Sequence, residues 1–295
     1  MKTGILQAKG LSKSYGTKEV LRELDLTIQP GKIYGLIGRN GAGKTPLLSI
    51  LTAQNTHDGG EVTLDGQPVW ENQRALDQLC FSREMQSTLM GSANTQRVRD
   101  YLRAAAIYYP NWDAGYAKRL LEEFQLEEKK RINQLSKGQQ SMVTILIALA
   151  SRAPITILDE PVAGLDEVMR ERFYRLLLED FAQTERTFIV STHILEEAAS
   201  VFERVIILDE GRVIEDCPTD ELVDQFRYVS GREDVVDEVC RGLEVLSTHK
   251  MGRHKTVAVR GGGVKLDAAL AADVDVSPMS LQNVFVALCG HGDEQ

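Results

Sequence analysis

Gly38-Arg39-Asn40-Gly41-Ala42-Gly43-Lys44-Thr45 follows a short apolar strand, Lys32 to Gly38, and precedes an apolar helical segment, Leu47 to Leu51. This is the spacing of a P-loop, a glycine-rich turn set between strand and helix in an α/β fold. Its glycines let backbone N–H groups curl around phosphate oxygens, and the start of the helix adds favourable partial charge. In that geometry Lys44 reaches the β and γ phosphates of a nucleotide and Thr45 ligates Mg²⁺. A plain glycine turn has no need of Lys and Thr in this register.

Downstream, Ile155-Thr156-Ile157-Leu158-Asp159-Glu160 is an apolar strand ending in two acids. A buried strand aims its last carboxylate at the C-terminal edge of the sheet, where a P-loop also lies. Asp159 is therefore expected to hold Mg²⁺ through water, and Glu160 to polarise an attacking water as general base. Acids at a strand end are often mere caps; the P-loop is what sets this pair apart. Thr187 to Ser191 and Val205 to Asp209 repeat the buried-strand pattern beside helical segments. Such alternation predicts a parallel sheet covered by helices.

Other stretches differ in character. Residues 1 to about 80 read as strands and turns, with Glu19 to Ile28 alternating and Glu61 to Val69 holding a glycine-bounded strand. From Arg97 to Ala150 apolar residues recur at three and four, broken at Tyr109-Pro110-Asn111, which predicts helices. Beyond about Gln225 the order is strand, helix, strand, strand, helix, strand: Tyr228 to Ser230, Asp234 to Leu243, Val245 to Thr248, Thr256 to Arg260, Val264 to Ala272 and Val274 to Val276. That is a ferredoxin-like order. A last helix, Ser280 to Leu288, closes the chain.

Composition narrows the function classes. The 295 residues carry a net charge of -9 with Lys and Arg scattered, so no basic face is set up for nucleic-acid phosphates and no nucleic-acid partner is expected. No apolar run approaches the roughly 20 residues that cross a bilayer, and Met1 to Gly10 lacks the apolar core of a signal peptide. The expectation is a cytosolic chain unless a partner holds it at a membrane. Cys80, Cys217, Cys240 and Cys289 are far apart and form no C-x-x-C pair, which points to ordinary small apolar side chains in a reducing compartment.

Leu135-Ser136-Lys137-Gly138-Gln139 resembles the signature of ABC ATPases. The other motifs stand in that family's order: the P-loop at Gly38, the signature, Asp159-Glu160-Pro161, Ala163-Gly164-Leu165-Asp166, then Ser191-Thr192-His193. An N-capped helix start would account for the pentapeptide alone, since Ser is a favoured cap, but not for five ordered motifs. The resemblance covers residues 1–225 and implies an α/β P-loop NTPase of ABC ATPase type. Such a domain has a mainly parallel core sheet, an antiparallel β subdomain and a helical subdomain, here at about 85–150; residues 226–295 would form a small C-terminal α+β domain.

The resemblance also implies ATP and Mg²⁺ as cofactors and assigns residues to them. Tyr15 would stack on adenine, Gly38, Arg39, Asn40, Gly41, Ala42, Gly43, Lys44 and Thr45 would bind the phosphates, and His193 would be the switch histidine at the γ-phosphate. In this family two subunits pair head to tail, so Ser136, Gly138 and Gln139 are implied to complete the ATP site of the second subunit. Asp166 matches the loop through which the family's two subunits communicate. The implied function is ATP hydrolysis that powers export through a separate membrane-spanning permease subunit, with the chain peripheral at the inner face of the cell membrane. The alternatives are a soluble ABC ATPase in a non-transport process and a weakly active regulatory subunit; the acidic composition and single P-loop speak against translation-type members.

Four positions depart from the family pattern. Glu84, in Cys80-Phe81-Ser82-Arg83-Glu84, takes the place of the usual Gln, with Gln86 as an alternative alignment; a carboxylate there would still touch Mg²⁺ or its water. Lys137 replaces a common glycine, and Val162 a small hydroxyl residue. Pro46 stands where Thr or Ser is usual. Blander features need no site: Gly261-Gly262-Gly263 reads as a flexible turn, Lys129-Lys130-Arg131 as a solvated helix end, and His249 and His254 as residues of a strand-turn-strand segment. Tyr108-Tyr109-Pro110-Asn111-Trp112-Asp113 resembles a stretch in ATPases of a bacterial exporter group associated with antimicrobial peptides and cell-envelope stress. The closing helix, with Leu281, Val284, Phe285 and Leu288 on one face, is similar to that of many exporter ATPases.

Overall fold

A computed structural model describes residues 4–85, 95–261 and 273–290. Contacts divide the chain into two units, Met1–Glu215 and Asp216–Gln295. The first begins with β1 (Leu6–Tyr15), β2 (Lys18–Ile28), β3 (Ile33–Ile37) and α1 (Lys44–Leu51), then β4 (Gly59–Leu64), β5 (Gln67–Pro68), α2 (Gln73–Leu76) and β6 (Leu79–Arg83). Among the described residues, the α-helices α3 (Val98–Tyr108), α4 (Ala114–Glu123) and α5 (Lys137–Ala150) follow. The unit continues through β7 (Ile155–Asp159), α6 (Glu167–Thr184), β8 (Thr187–Ser191), α7 (Leu195–Ala198), β9 (Arg204–Asp209) and β10 (Arg212–Pro218), whose last residues enter the second unit.

Six strands form the core sheet in the order β10-β9-β3-β8-β7-β6. The pairs β9/β3, β3/β8, β8/β7 and β7/β6 are parallel. All five residues of β3, β7 and β8 are buried, the pattern of strands covered on both faces. The register places chemistry at one edge. Arg83 pairs with Asp159 and Asp159 with Ser191, while Leu36 also pairs with Ser191, so the residues that follow β3, β6, β7 and β8 all emerge at the C-terminal end of the sheet.

A smaller antiparallel sheet has the order β2-β1-β4-β5. Glu61 to Val69, expected to hold a strand, contains most of β4 and turns back into β5 as a hairpin: Asp65 and Gly66 have φ of 51° and 76°, the left-handed pair that a two-residue turn requires. In the helical segment, α3 stops at Tyr108 and Tyr109 is extended, because the ring of Pro110 disfavours a helical residue before it. The Asp113 carboxylate then accepts from the Tyr116 N–H at 2.8 Å and starts α4.

The second unit contains α8 (Thr219–Asp224), β11 (Phe226–Arg232), α9 (Glu233–Val239), β12 (Glu244–Met251), β13 (His254–Arg260), β14 (Val274–Pro278) and α10 (Leu281–Cys289). Its antiparallel sheet runs β12-β13-β11-β14, the spatial order of a ferredoxin-like fold. Val229, Val257 and Val259 of the sheet pack with Val236 and Cys240 of the α9 segment. The helix expected at Val264 to Ala272 lies outside the described residues.

Candidate nucleotide site

The turn after β3 is built around close approaches that only glycine permits. A Cβ on Gly38 would lie 2.5 Å from the Leu208 carbonyl oxygen, and Gly43 caps α1 with φ of 108°, where a Cβ would meet the Val20 carbonyl at 2.6 Å. Lys44, the first residue of α1, folds back so that Nζ donates to the Gly38 carbonyl at 2.6 Å. The same ammonium lies 3.9 Å from Glu160 Oε1 and is 7% exposed. Burial pushes the Lys44 ammonium below its ordinary pKa, opposed by the carboxylates of Glu160 and Asp159.

Asp159 ends β7 almost fully buried, and two hydroxyls fix it. Thr45 Oγ1 donates to Oδ2 at 2.6 Å and Ser191 Oγ donates to Oδ1 at 2.5 Å. Glu160 comes next with φ of 50°, held there by its N–H, which donates to both Ser191 O and Ser191 Oγ at 3.1 Å. Its Oε2 sits 2.8 Å from His193 Nδ1. The structure thus brings the P-loop, Asp159, Glu160 and His193 together. Ser191 is the member of this cluster that the site reading passed over. Its signal was present: a hydroxyl at the end of a buried strand, in register with the buried acid.

A cleft of about 510 Å³ opens beside these groups, lined by Tyr15, Arg39, Asn40, Lys44, Pro46 and Glu160 among others; that is the size of a small-ligand site. Tyr15 is half exposed, its hydroxyl accepts from Asn55 Nδ2 at 2.5 Å, and Lys13 Nζ stands 5.4 Å from the ring centroid. The Thr45 and Asp159 oxygens are hard donors. Mg²⁺ at phosphoryl-transfer sites takes only one or two protein ligands besides phosphate oxygens and water, so these residues fit it. Among the described residues, no group of three or more His, Cys, Asp or Glu has metal-holding geometry.

Ser136, Gly138 and Gln139 stand elsewhere, at the start of α5. Ser136 Oγ accepts from the Gln139 N–H and Gln139 Oε1 accepts from the Ser136 N–H, both at 3.2 Å, a reciprocal capping box. Gly138 packs on the loop after β7, where a Cβ would lie 2.7 Å from the Gly164 carbonyl. Asp166 caps α6 by accepting from the Met169 N–H at 2.9 Å. Glu84 follows β6 at the same sheet edge as Asp159, but its carboxylate pairs with Lys137 Nζ at 2.9 Å. Gln86 lies outside the described residues.

A parallel sheet carrying a P-loop, a hydroxyl-fixed acid and an adjoining glutamate at one edge defines a P-loop nucleotide hydrolase. Comparison with known proteins makes the class specific. The family model described as "ABC transporter" matches residues 21–163. Nod factor export ATP-binding protein I of Cupriavidus pinatubonensis is 30% identical over 98% of this chain and 91% of its own. Petrobactin import ATP-binding protein YclP of Bacillus subtilis is 29% identical over 75% of this chain and 89% of its own. Among solved structures, the ATP-binding subunit of an ABC transporter superposes with a TM-score of 0.64 at 25% identity, covering 75% of this chain and 92% of that one. The chain belongs to the ATP-binding subunits of ABC transporters, and is an ATPase of that family.

Proposed function

We propose that this subunit powers export, hydrolysing ATP while docked on a separate membrane-spanning permease and paired with a second ATPase subunit. The observation that carries the catalytic part is the junction of Lys44, Thr45, Asp159, Glu160 and His193 at one sheet edge. Lys44 and the P-loop N–H groups bind the β and γ phosphates. Mg²⁺ held beside Thr45 and Asp159 supplies neutralisation of the phosphate oxygens. Glu160 accepts a proton from water as the water oxygen bonds to the γ-phosphorus; the bond from that phosphorus to the bridging oxygen breaks, leaving ADP and phosphate. His193, within hydrogen-bond reach of Glu160, orients its carboxylate and faces the γ-phosphate. Tyr15 stacks on adenine, and Ser136, Gly138 and Gln139 complete the second subunit's site.

Export is favoured by the near full-length match to a Nod factor exporter ATPase and by the closing helix, although a petrobactin importer subunit is also similar. No helix among the described residues is long and apolar enough to cross a membrane, so the permease is a separate chain in this reading and the subunit sits peripherally at the inner face. Pull-down from detergent-solubilised native membranes tests it. Recovery of a partner with about six apolar spans of roughly 20 residues supports it; recovery of soluble partners alone overturns it in favour of a non-transport ATPase.

A further inference from the structure

Two of the positions that depart from the family pattern touch each other. Glu84, at the place of the usual Gln, pairs with Lys137, at the place of a common signature glycine, with the ammonium 2.9 Å from Glu84 Oε1. Because Arg83 is paired in register with Asp159, the Glu84 backbone emerges at the edge that carries the Thr45 and Asp159 oxygens. Its carboxylate nevertheless turns to α5. The Lys137 stem is itself braced: a Cβ on Gly164 would lie 2.9 Å from Lys137 Cγ, and Ser141 Oγ of the same helix donates to the Ala163 carbonyl at 2.8 Å.

We propose that Lys137 is a positioning residue that holds the Glu84 carboxylate away from the Thr45–Asp159 oxygens and so links metal–nucleotide binding to the first turn of α5. Both side chains are about half exposed, 60% for Lys137 and 46% for Glu84, and exposed ion pairs contribute little, so the tether is light and reversible. A carboxylate shared between an ammonium and a metal makes the two partners compete. By linkage, metal binding that draws Glu84 away loosens α5 to the same extent that the tether weakens metal binding.

The metal clause rests on the proposed nucleotide site. The test is Mn²⁺ binding, followed by electron paramagnetic resonance, to the full chain saturated with ADP. Lys137→Met keeps the stem over Gly164 and removes the charge. It should tighten Mn²⁺ binding about two- to fivefold, the range an exposed pair spans, and the effect should vanish when Glu84→Gln is already present. Lys137→Arg should behave as wild type. An equal Lys137→Met effect in both backgrounds, or none in either, overturns the tether while leaving the nucleotide site standing. Failure of wild type to bind ADP overturns the site reading itself.

Discussion

A glutamate held at φ of 50° is strained by about 1 to 3 kcal/mol, and Glu160 is kept there by its hydrogen bonds to Ser191. The strain aims the carboxylate between His193 and Lys44. Glu160→Gln preserves size and neutral hydrogen bonding but cannot take a proton. Steady-state phosphate release should fall about 10² to 10⁴-fold with ATP binding retained; equal rates would remove Glu160 from the mechanism. Pro46, the third residue of α1, makes the opposite kind of test. The first four N–H groups of a helix have no intrahelical partner, so proline is tolerated there. The family's N–H and hydroxyl at this position face the α-phosphate, and proline supplies neither. A hydrogen bond to a charged group contributes roughly 1.5 to 3 kcal/mol and water recovers part of it. Calorimetry should show Pro46→Thr binding ATP severalfold to about tenfold more tightly; unchanged or weaker binding would make Pro46 neutral or compensated.

At the scale of elements, the start of α5 serves structure through Ser136, the residue to which the proposed assembly also gives a function. Ser136 caps the helix with Gln139, and replacing such a cap with Ala costs about 1 kcal/mol. Stability and trans action separate with Ser136→Asp, because Asp caps as well as Ser while placing negative charge where the second subunit's phosphates would lie. Its thermal midpoint should match wild type and its ATP-driven pairing should be lost; intact pairing would leave Ser136 as a cap alone. Legibility followed the same physics. β7 and β8 were readable to the residue because both faces are buried and their apolar runs are unbroken. β4 and β5 were not separated, since β5 is only the two exposed residues Gln67 and Pro68 and the turn residues Asp65-Gly66 alone betray the hairpin. β6, five residues that run from buried Leu79 and Cys80 to exposed Arg83, carries too little pattern to stand out as a strand. Glu84 was singled out by its place in the family pattern, but neither its position after β6 nor its partner was legible: an ion pair between a strand end and a distant helix start depends on how the two elements pack.

For the whole molecule, the catalytic edge and the start of α5 are separate places on one chain. In the proposed assembly each ATP is enclosed by the P-loop, Asp159 and Glu160 of one subunit and by Ser136 and Gly138 of the other, so nucleotide itself drives pairing. Pairing of this kind doubles the mass of the ATPase when Mg-ATP binds. Sedimentation of Glu160→Gln, in which bound ATP persists, should show a monomer without nucleotide and a dimer with Mg-ATP in the presence of the membrane partner, and adding Ser136→Asp should return it to monomer. A Glu160→Gln chain that remains monomeric at saturating Mg-ATP with that partner present would contradict the account.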